Sequence, residues 1–164
     1  HFDKRDFLLK AGDIEKNMWW IVSGAVRLFY ENDGEEIDTL FSFENTFVTS
    51  CASLLSHTPS IYSIQALENT KVLSISKENL DQFYDRSKNA ERLGRFSLER
   101  LYLAKEERDR SLRADSATDR YLQLLQSQRD LAQRVPQKYI ASFLGITPES
   151  LSRIRKNLVK TCVS

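Results

Sequence analysis

The segment Val135–Leu158 constrains the fold of this chain most, because apolar residues recur at helical spacing on both sides of one glycine. The five large ones can lie between two crossing helices: Ile140, Leu144, Ile146, Leu151 and Ile154. Ala141 adds a small side chain where the two helices would approach closely. The pattern therefore predicts two packed helices with a tight turn between them.

The residues between the two predicted helices suit such a turn. Gly145 can end the first helix with a positive φ, which glycine adopts without strain. Thr147 can cap the second helix, and Pro148 then falls in its first turn, where proline is tolerated. The sequence thus predicts a helix-turn-helix, a motif that places its second helix in the major groove of DNA.

The second helix carries a polar and basic face away from the core: Glu149, Ser150, Ser152, Arg153, Arg155, Lys156 and Asn157. On that face Arg153 can donate two hydrogen bonds to the edge of a guanine, while Lys156 and Ser150 can bind phosphates. We therefore predict the following DNA-binding residues: Thr147, Glu149, Ser150, Ser152, Arg153 and Lys156. The alternative is an ordinary helical hairpin whose basic face is only solvated.

Charge is distributed unevenly along the chain. Residues 1–90 contain nine Lys and Arg against fourteen Asp and Glu, a net charge of −5, whereas residues 136–164 contain five against one, a net charge of +4. DNA attracts the basic end and repels the acidic part. A charge gradient alone is weak evidence, but here it coincides with the predicted helix-turn-helix.

The first half of the chain predicts a small β barrel or jelly roll. Branched and aromatic residues form short runs bounded by turn residues, at positions 7–10, 18–22, 25–30, 36–43, 61–67 and 71–75. The sequence Asn32-Asp33-Gly34 is a strong hairpin signal. Residues 45–57 are small and polar, and we expect a short helix over a cavity there.

The pattern becomes helical at Ser76, which can cap a helix beginning at Lys77. A long helical stretch follows from Asn89 to about Ser111, and a further helix over residues 118–126 leads into the helix-turn-helix. The long stretch has an apolar stripe interrupted by arginine: Leu93, Phe96, Arg100, Leu101, Leu103 and Ala104. This stripe can pack against its own chain or against a twin helix. We favour a dimer helix, because operator half-sites are usually read by two-fold dimers.

The chain of 164 residues is 41% hydrophobic and 29% charged, which is typical of a soluble globular protein. It contains no apolar run of membrane-spanning length and no visible signal peptide, so we expect a cytoplasmic protein without membrane contact. The cysteines Cys51 and Cys162 make no disulfide framework, which fits a reducing compartment. Because the first residue is His1 and not Met, we expect residues to be missing before it.

In the order of its parts the chain resembles the Crp/Fnr family of bacterial transcription regulators: a sensory jelly roll, a long dimer helix and a helix-turn-helix. Three segments carry the resemblance: Gly12–Arg27, Ile64–Ser76 and Ile140–Leu158. Glu149 and Arg153 match the family's base-contacting positions, whereas Pro148 stands where well-known members carry a further arginine. The resemblance implies a homodimer that binds a palindromic operator, whose sequence should differ from the operators of those members because of Pro148. It also implies RNA polymerase as a further partner. Few residues follow the second helix, so we expect little length for a wing.

The resemblance also implies a cyclic-nucleotide site, whose phosphate cassette uses a glycine, a glutamate and an arginine. Here Thr49 and Ser50 stand at the positions of the glycine and the glutamate, and Ser60 at that of the arginine. Without that cation a buried phosphate loses a charge-assisted bond of about 1.5–3 kcal/mol, so we predict no tight binding of cyclic AMP. A neutral polar pocket for an unknown effector would use Thr49, Ser50, Cys51, Ser60 and Tyr62. The alternative is that these side chains only fill the core.

The residues offer little for other chemistry. An iron–sulfur sensor needs about four cysteines, and a haem would depend on His57 or Cys51. A metal-dependent jelly-roll enzyme needs several converging His and carboxylate side chains. We therefore predict no cofactor, no metal and no enzymatic activity.

Together these patterns predict an α+β protein in three parts. A cyclic-nucleotide-binding-like β jelly-roll sensor occupies residues 1–88, a dimerisation helix and hinge residues 89–112, and a winged-helix-like helix-turn-helix domain residues 113–164. We expect a dimeric, sequence-specific DNA-binding transcription regulator. The alternative is a jelly-roll ligand-binding or enzymatic module with a helical tail for protein contacts.

Overall fold

A computed structural model describes residues 1–127 and 131–163, with the side chains of the last helix described as far as Val159. The side chain of Cys162, one of the two cysteines, therefore lies outside the described part. Among the described residues, seven strands and one short helix form the first half: β1 Phe7–Leu9, β2 Asn17–Ser23, β3 Val26–Asn32, β4 Glu35–Ser42, β5 Phe47–Val48, α1 Cys51–Ser56, β6 Ser63–Ala66 and β7 Lys71–Ser76.

The strands form two antiparallel sheets that enclose a small core. One sheet has the order β1-β6-β3-β4, and the other has the order β5-β2-β7. Period-two alternation directs branched side chains inward, and the core between the sheets contains Leu9, Ile21, Val26, Val48 and Ile64. This arrangement confirms the predicted jelly roll.

The hairpin between β3 and β4 follows the predicted turn chemistry. Asn32 pairs with Glu35, so only Asp33 and Gly34 connect the strands. Both connecting residues have positive φ, 51° and 81°, as a primed two-residue turn requires. The hairpin leaves β4 as an edge strand of its sheet.

In the second half the described residues form six helices: α2 Lys77–Arg86, α3 Lys88–Ala114, α4 Ala117–Ser127, α5 Leu131–Arg134, α6 Gln137–Phe143 and α7 Pro148–Val163. The predicted cap of α2 is confirmed, because the amide of Asn79 donates to Ser76 Oγ over 3.2 Å. Ser87 Oγ caps α3 in the same way, through the amide of Ala90. In the described residues no helix combines the length and apolar character that crossing a membrane requires.

The long helix α3 leaves most of its apolar stripe uncovered. Leu93, Phe96 and Leu103 are 64%, 57% and 65% exposed. Only one side of α3 packs on its own chain, where Ala90 and Ser111 are buried. The stripe is therefore a free surface of the single chain.

The C-terminal helices share a hydrophobic core with the barrel. One cluster of buried side chains joins barrel residues to residues of α4–α7: Ala25, Phe41, Leu67, Tyr121, Leu124, Leu131, Val135, Ile140, Ala141, Leu144 and Leu151. Within it the rings of Phe41 and Phe143 lie 5.4 Å apart. α6 therefore packs against the β sheet, and α7 packs on α6.

Candidate functional site

The C-terminal helix pair, α6 with α7, is joined by the tight turn that the sequence predicted. Gly145 has a φ of 67°, in the left-handed region that glycine favours. The amide of Gly145 donates to the carbonyl of Ser142, and the amide of Ile146 donates to the carbonyl of Ala141, each over 3.0 Å. These two bonds are those of a Schellman C-cap, so the turn satisfies the carbonyls of Ala141 and Ser142 near the end of α6.

The start of α7 is also capped as predicted. The amide of Ser150 donates to Thr147 Oγ1 over 3.2 Å, and Pro148 is the first residue of the helix. Ile140 and Ala141 of α6 and Leu151 of α7 are at most 2% exposed. The small side chain of Ala141 therefore lies in the interior, where a larger one would separate the helices.

The outer face of α7 presents a basic and polar surface. Glu149, Arg153 and Lys156 are exposed and follow one another at intervals of four and three residues, so they lie on one side of the helix. Ser150 and Ser152 are half-buried at its margin. Arg155, which was expected on the exposed face, is half-buried as well. The predicted residues thus form one surface, with Glu149, Arg153 and Lys156 at its centre.

Glu149 is fixed at the N-terminal end of this surface. Hydrogen bonds from its own backbone amide and from the Thr147 hydroxyl lower the pKa of its carboxyl. The carboxylate also lies in the first turn of α7, where the helix dipole favours a negative charge. An ionised acceptor therefore stands beside Arg153 on the exposed face.

Arg120 supports the turn, although no sequence pattern points to it. Its Nε and Nη2 donate to the carbonyl of Leu144 over 3.1 and 2.9 Å, and its Nη1 donates to the carbonyl of Asp115 over 2.6 Å. One guanidinium on α4 thus ties the end of α3 to the end of α6. A long-range contact of this kind leaves no periodic signal in the sequence.

In the barrel, the predicted pocket residues Ser50 and Ser60 contact each other. Ser60 Oγ donates to Ser50 Oγ over 2.8 Å and accepts from the amide of Tyr62 over 3.0 Å. Both serines are at most 4% exposed. The two hydroxyls, which are predicted to stand at the positions of the family's glutamate and arginine, therefore have neutral partners within the protein.

The other pocket candidates lie around this pair. Thr49 Oγ1 donates to the carbonyl of Asn17 over 2.9 Å. The ring of Tyr62 packs edge-on against that of Tyr30 at 5.8 Å. Cys51 is half-buried and free, and burial raises the pKa of its thiol. The role of the five residues in binding an effector stays a prediction.

The described residues bring together no group of three or more His, Cys, Asp or Glu side chains that could hold a metal ion. His57 is exposed and ends α1 in a left-handed conformation with a φ of 56°.

Residues 1–87 match the model of one protein family, described as cyclic nucleotide-binding domain. A comparison with curated protein sequences found no match. The family match covers the two sheets, α1 and α2.

Solved structures extend the likeness to almost the whole chain. FixK2 from Bradyrhizobium japonicum is 21% identical with a TM-score of 0.82, over 98% of this chain and 83% of that one. A mutant of CooA from Carboxydothermus hydrogenoformans is 19% identical with a TM-score of 0.75, over 98% and 75%. The c-di-GMP responsive global regulator CLP from Xanthomonas campestris is 20% identical with a TM-score of 0.72, over 98% and 85%. At these identities the likeness is one of fold.

Proposed function

Because the chain belongs to the cyclic nucleotide-binding domain family and has the fold of Crp/Fnr regulators, we propose that it is a transcription regulator that binds a palindromic DNA operator as a dimer. The β barrel serves as its sensor part, α3 as its dimer helix, and the C-terminal helix pair as a helix-turn-helix. The surface of α7 is the part that enters the major groove.

One observation carries the DNA-binding proposal. Glu149, Arg153 and Lys156 are exposed together on α7, while Leu151 on the opposite side is fully buried. Arg153 offers a planar fork of donors that fits the O6 and N7 acceptors of guanine, and Glu149 can accept from the amino group of cytosine. Lys156 and the hydroxyls of Ser150 and Thr147 supply contacts to phosphates.

The uncovered stripe on α3 supports the dimer. Leu93, Phe96 and Leu103 are spaced by three and seven residues, which places them on one side of the helix. Exposed apolar side chains in a continuous stripe favour association with a second helix of the same kind. In a dimer of this kind two copies of α7 read the two halves of a palindrome.

The sensor part takes a ligand other than cyclic AMP or none. The positions that would hold the ribose and the phosphate carry Ser50 and Ser60, whose hydroxyls bond each other. A cyclic phosphate placed there would lack a charge-assisted partner and would have to break that buried bond. An effector that binds at Thr49, Ser50, Cys51, Ser60 and Tyr62 would be a neutral molecule that forms hydrogen bonds with the hydroxyl groups among these side chains.

Selection of bound fragments from genomic DNA with the purified protein tests the proposal. A specific dimer should enrich one palindrome whose half-sites lie about 34 Å apart, one turn of the double helix. Enrichment of fragments that share no sequence would show only nonspecific binding by a basic surface and would contradict sequence-specific recognition. No retention of DNA would contradict the proposal as a whole. The buffer should contain a fixed salt concentration, because the phosphate contribution falls steeply with salt.

A further inference from the structure

The helix α6 is hydrogen-bonded to β4, an edge strand of its sheet. Ser142 Oγ accepts a hydrogen bond from the amide of Asp38 and donates one to the carbonyl of Glu36, each over 2.9 Å. Exposed strand edges carry unpaired main-chain groups of this kind. One hydroxyl on α6 therefore satisfies two edge groups of β4.

A buried arginine fills the space between the sheet and α6. The guanidinium of Arg27 lies between the rings of Phe29 and Tyr139, at 3.8 and 3.9 Å from their centres. Its Nη1 lies 2.8 Å from Glu36 Oε2, and its Nε and Nη2 donate to Gln65 Oε1. Since Tyr139 belongs to α6, this stack forms part of the contact between the two parts of the molecule.

Beside this arginine, Asp38 is buried with incomplete hydrogen bonding. Its side chain is fully buried, its Oδ1 lies 3.4 Å from Arg27 Nη1, and its Oδ2 has no hydrogen-bond partner among the described residues. Arg108 of α3 spans the same junction, donating from Nη2 to the carbonyls of Asp38 and Phe143 over 3.2 and 3.0 Å. A buried carboxylate oxygen without a donor is costly, whereas a protonated carboxyl carries less charge to solvate.

We propose that Asp38 is a proton-dependent latch, which holds α6 against β4 when its carboxyl is protonated and loosens this contact when the carboxyl ionises. Departure of α6 would remove Ser142 and Tyr139 from the edge of β4 and admit water to the carboxylate. The latch concerns the two parts of one chain and does not require DNA.

The electrostatic surroundings of Asp38 support this assignment. Burial raises the pKa of Asp38 from 3.8 to about 7, with a smaller rise from Glu36. Arg27 from β3 and Lys138 from α6 oppose the rise through their positive charges, and Arg108 faces the same group from α3. The attraction of these three cations is therefore outweighed by the loss of water around the carboxylate.

The direction of the pH effect follows from linkage. A carboxyl whose pKa is higher in the docked form than in the undocked form binds its proton more tightly when docked. Its contribution to docking is complete below the ordinary aspartate pKa and is lost as the pH rises through about 7. With a docked pKa of about 7 the docking equilibrium constant should fall about tenfold between about pH 6 and about pH 8.

Hydrogen exchange of the Asp38 amide, which Ser142 protects, measures this constant directly. After correction for intrinsic exchange, protection in the wild type should fall about tenfold from about pH 6 to about pH 8, and in Asp38→Asn it should change less than about twofold. The matched control Asp33→Asn, in the exposed turn of the same hairpin, should keep the tenfold fall. Protection in the wild type that does not depend on pH, or an equal fall in Asp38→Asn, would overturn the latch.

Titration of the Asp38 carboxyl, followed by carbon-13 NMR, gives a second test that does not depend on Asp38→Asn. In the wild type the Asp38 carboxyl should titrate with a midpoint near 7, and in Ser142→Ala, which weakens docking, the midpoint should move down. A wild-type midpoint in the ordinary aspartate range of about 3–5 would overturn the proposal.

Discussion

Ser142 accepts a 2.9 Å hydrogen bond from the amide of Asp38, although 104 residues separate them in the chain. The bond joins the helix before the turn to the edge strand of the barrel. Because α6 also packs on α7 through Ala141 and Leu151, the orientation of the exposed α7 surface depends on the barrel. A structural change in the barrel can thus reach the residues proposed to read DNA through this contact.

Gly24 should be indispensable for the barrel. Its φ is 100°, and a Cβ there would lie 2.5 to 2.8 Å from atoms of Thr70 and Asn69, including main-chain atoms that cannot move aside. We expect Gly24→Ala to lower the free energy of unfolding by roughly 3 kcal/mol, through strain and overlap together. Urea unfolding followed by circular dichroism measures this loss.

Gly12 provides the matched control for that substitution. It has a similar φ of 93°, but a Cβ would meet nothing within 4 Å. Gly12→Ala should therefore cost only the backbone strain, roughly 1 kcal/mol. Equal losses in the two variants would show that the close approach to Thr70 is unimportant.

Arg134 should stabilise the docking of α5 through a network of ion pairs. Its Nη1 and Nη2 donate to the two carboxylate oxygens of Glu44 over 2.8 Å, and Nη2 also bonds Glu68. We expect Arg134→Gln to lower the free energy of unfolding by about 1 kcal/mol in dilute salt, since solvent partly screens the pairs. The exposed pair of Arg95 with Glu99 is the control, and Arg95→Gln should cost less than about 0.5 kcal/mol.

The same network predicts that the free energy of unfolding decreases at acid pH. The hydrogen bonds from Arg134 lower the pKa of Glu44 to about 2 from its ordinary value of 4.5. A carboxyl with a lowered folded pKa stabilises the fold above its unfolded pKa and loses that effect as pH falls through the folded value. The difference in unfolding free energy between wild type and Arg134→Gln should therefore shrink between about pH 4.5 and about pH 2. A difference independent of pH would contradict the role of Glu44.

The dimer should depend on the α3 stripe. Phe96 is 57% exposed in the single chain, and a glutamate there would place a charge in the helix–helix contact. Phe96→Glu should sediment as a monomer where the wild type sediments as a dimer. Ile61→Glu, at a loop residue that is 68% exposed, should leave the dimer intact, and loss of the dimer in both variants would argue against the stripe.

Cyclic AMP should fail to bind in the micromolar range. Ser50 and Ser60 already bond each other, and the hydroxyl of Ser60 carries no charge to pair with a phosphate. Isothermal titration calorimetry with cyclic AMP should therefore show no heat above dilution. Micromolar binding would show that another residue supplies the missing cation.

Much of the fold could be predicted because local patterns decide it. The Asn32-Asp33-Gly34 turn, the Ser76 cap and the left-handed Gly145 each depend on residues that are close in sequence, and each is confirmed. The jelly roll followed from alternation of apolar residues in several short runs. These local preferences predict the structure correctly because the tertiary contacts favour the same conformations.

The rest depends on contacts between distant residues. Nothing near Ser142 in the sequence indicates that its hydroxyl bonds β4, and nothing near Arg27 predicts its place between Phe29 and Tyr139. The burial of Asp38 likewise arises only when α6 covers the edge of the sheet. Alternation predicts which face a residue takes, but not which element covers that face.

The DNA-reading role of α7 is tested most directly by the affinities of wild type and Arg153→Ala for the selected operator, measured by fluorescence anisotropy at one salt concentration. Arg153→Ala should weaken binding by about 1–3 kcal/mol and relax the base preference at one position of each half-site. Arg86→Ala, which removes an exposed arginine from the end of α2, should bind as the wild type does. Unchanged affinity and base preference in Arg153→Ala would contradict the assignment of α7 as the DNA-reading helix.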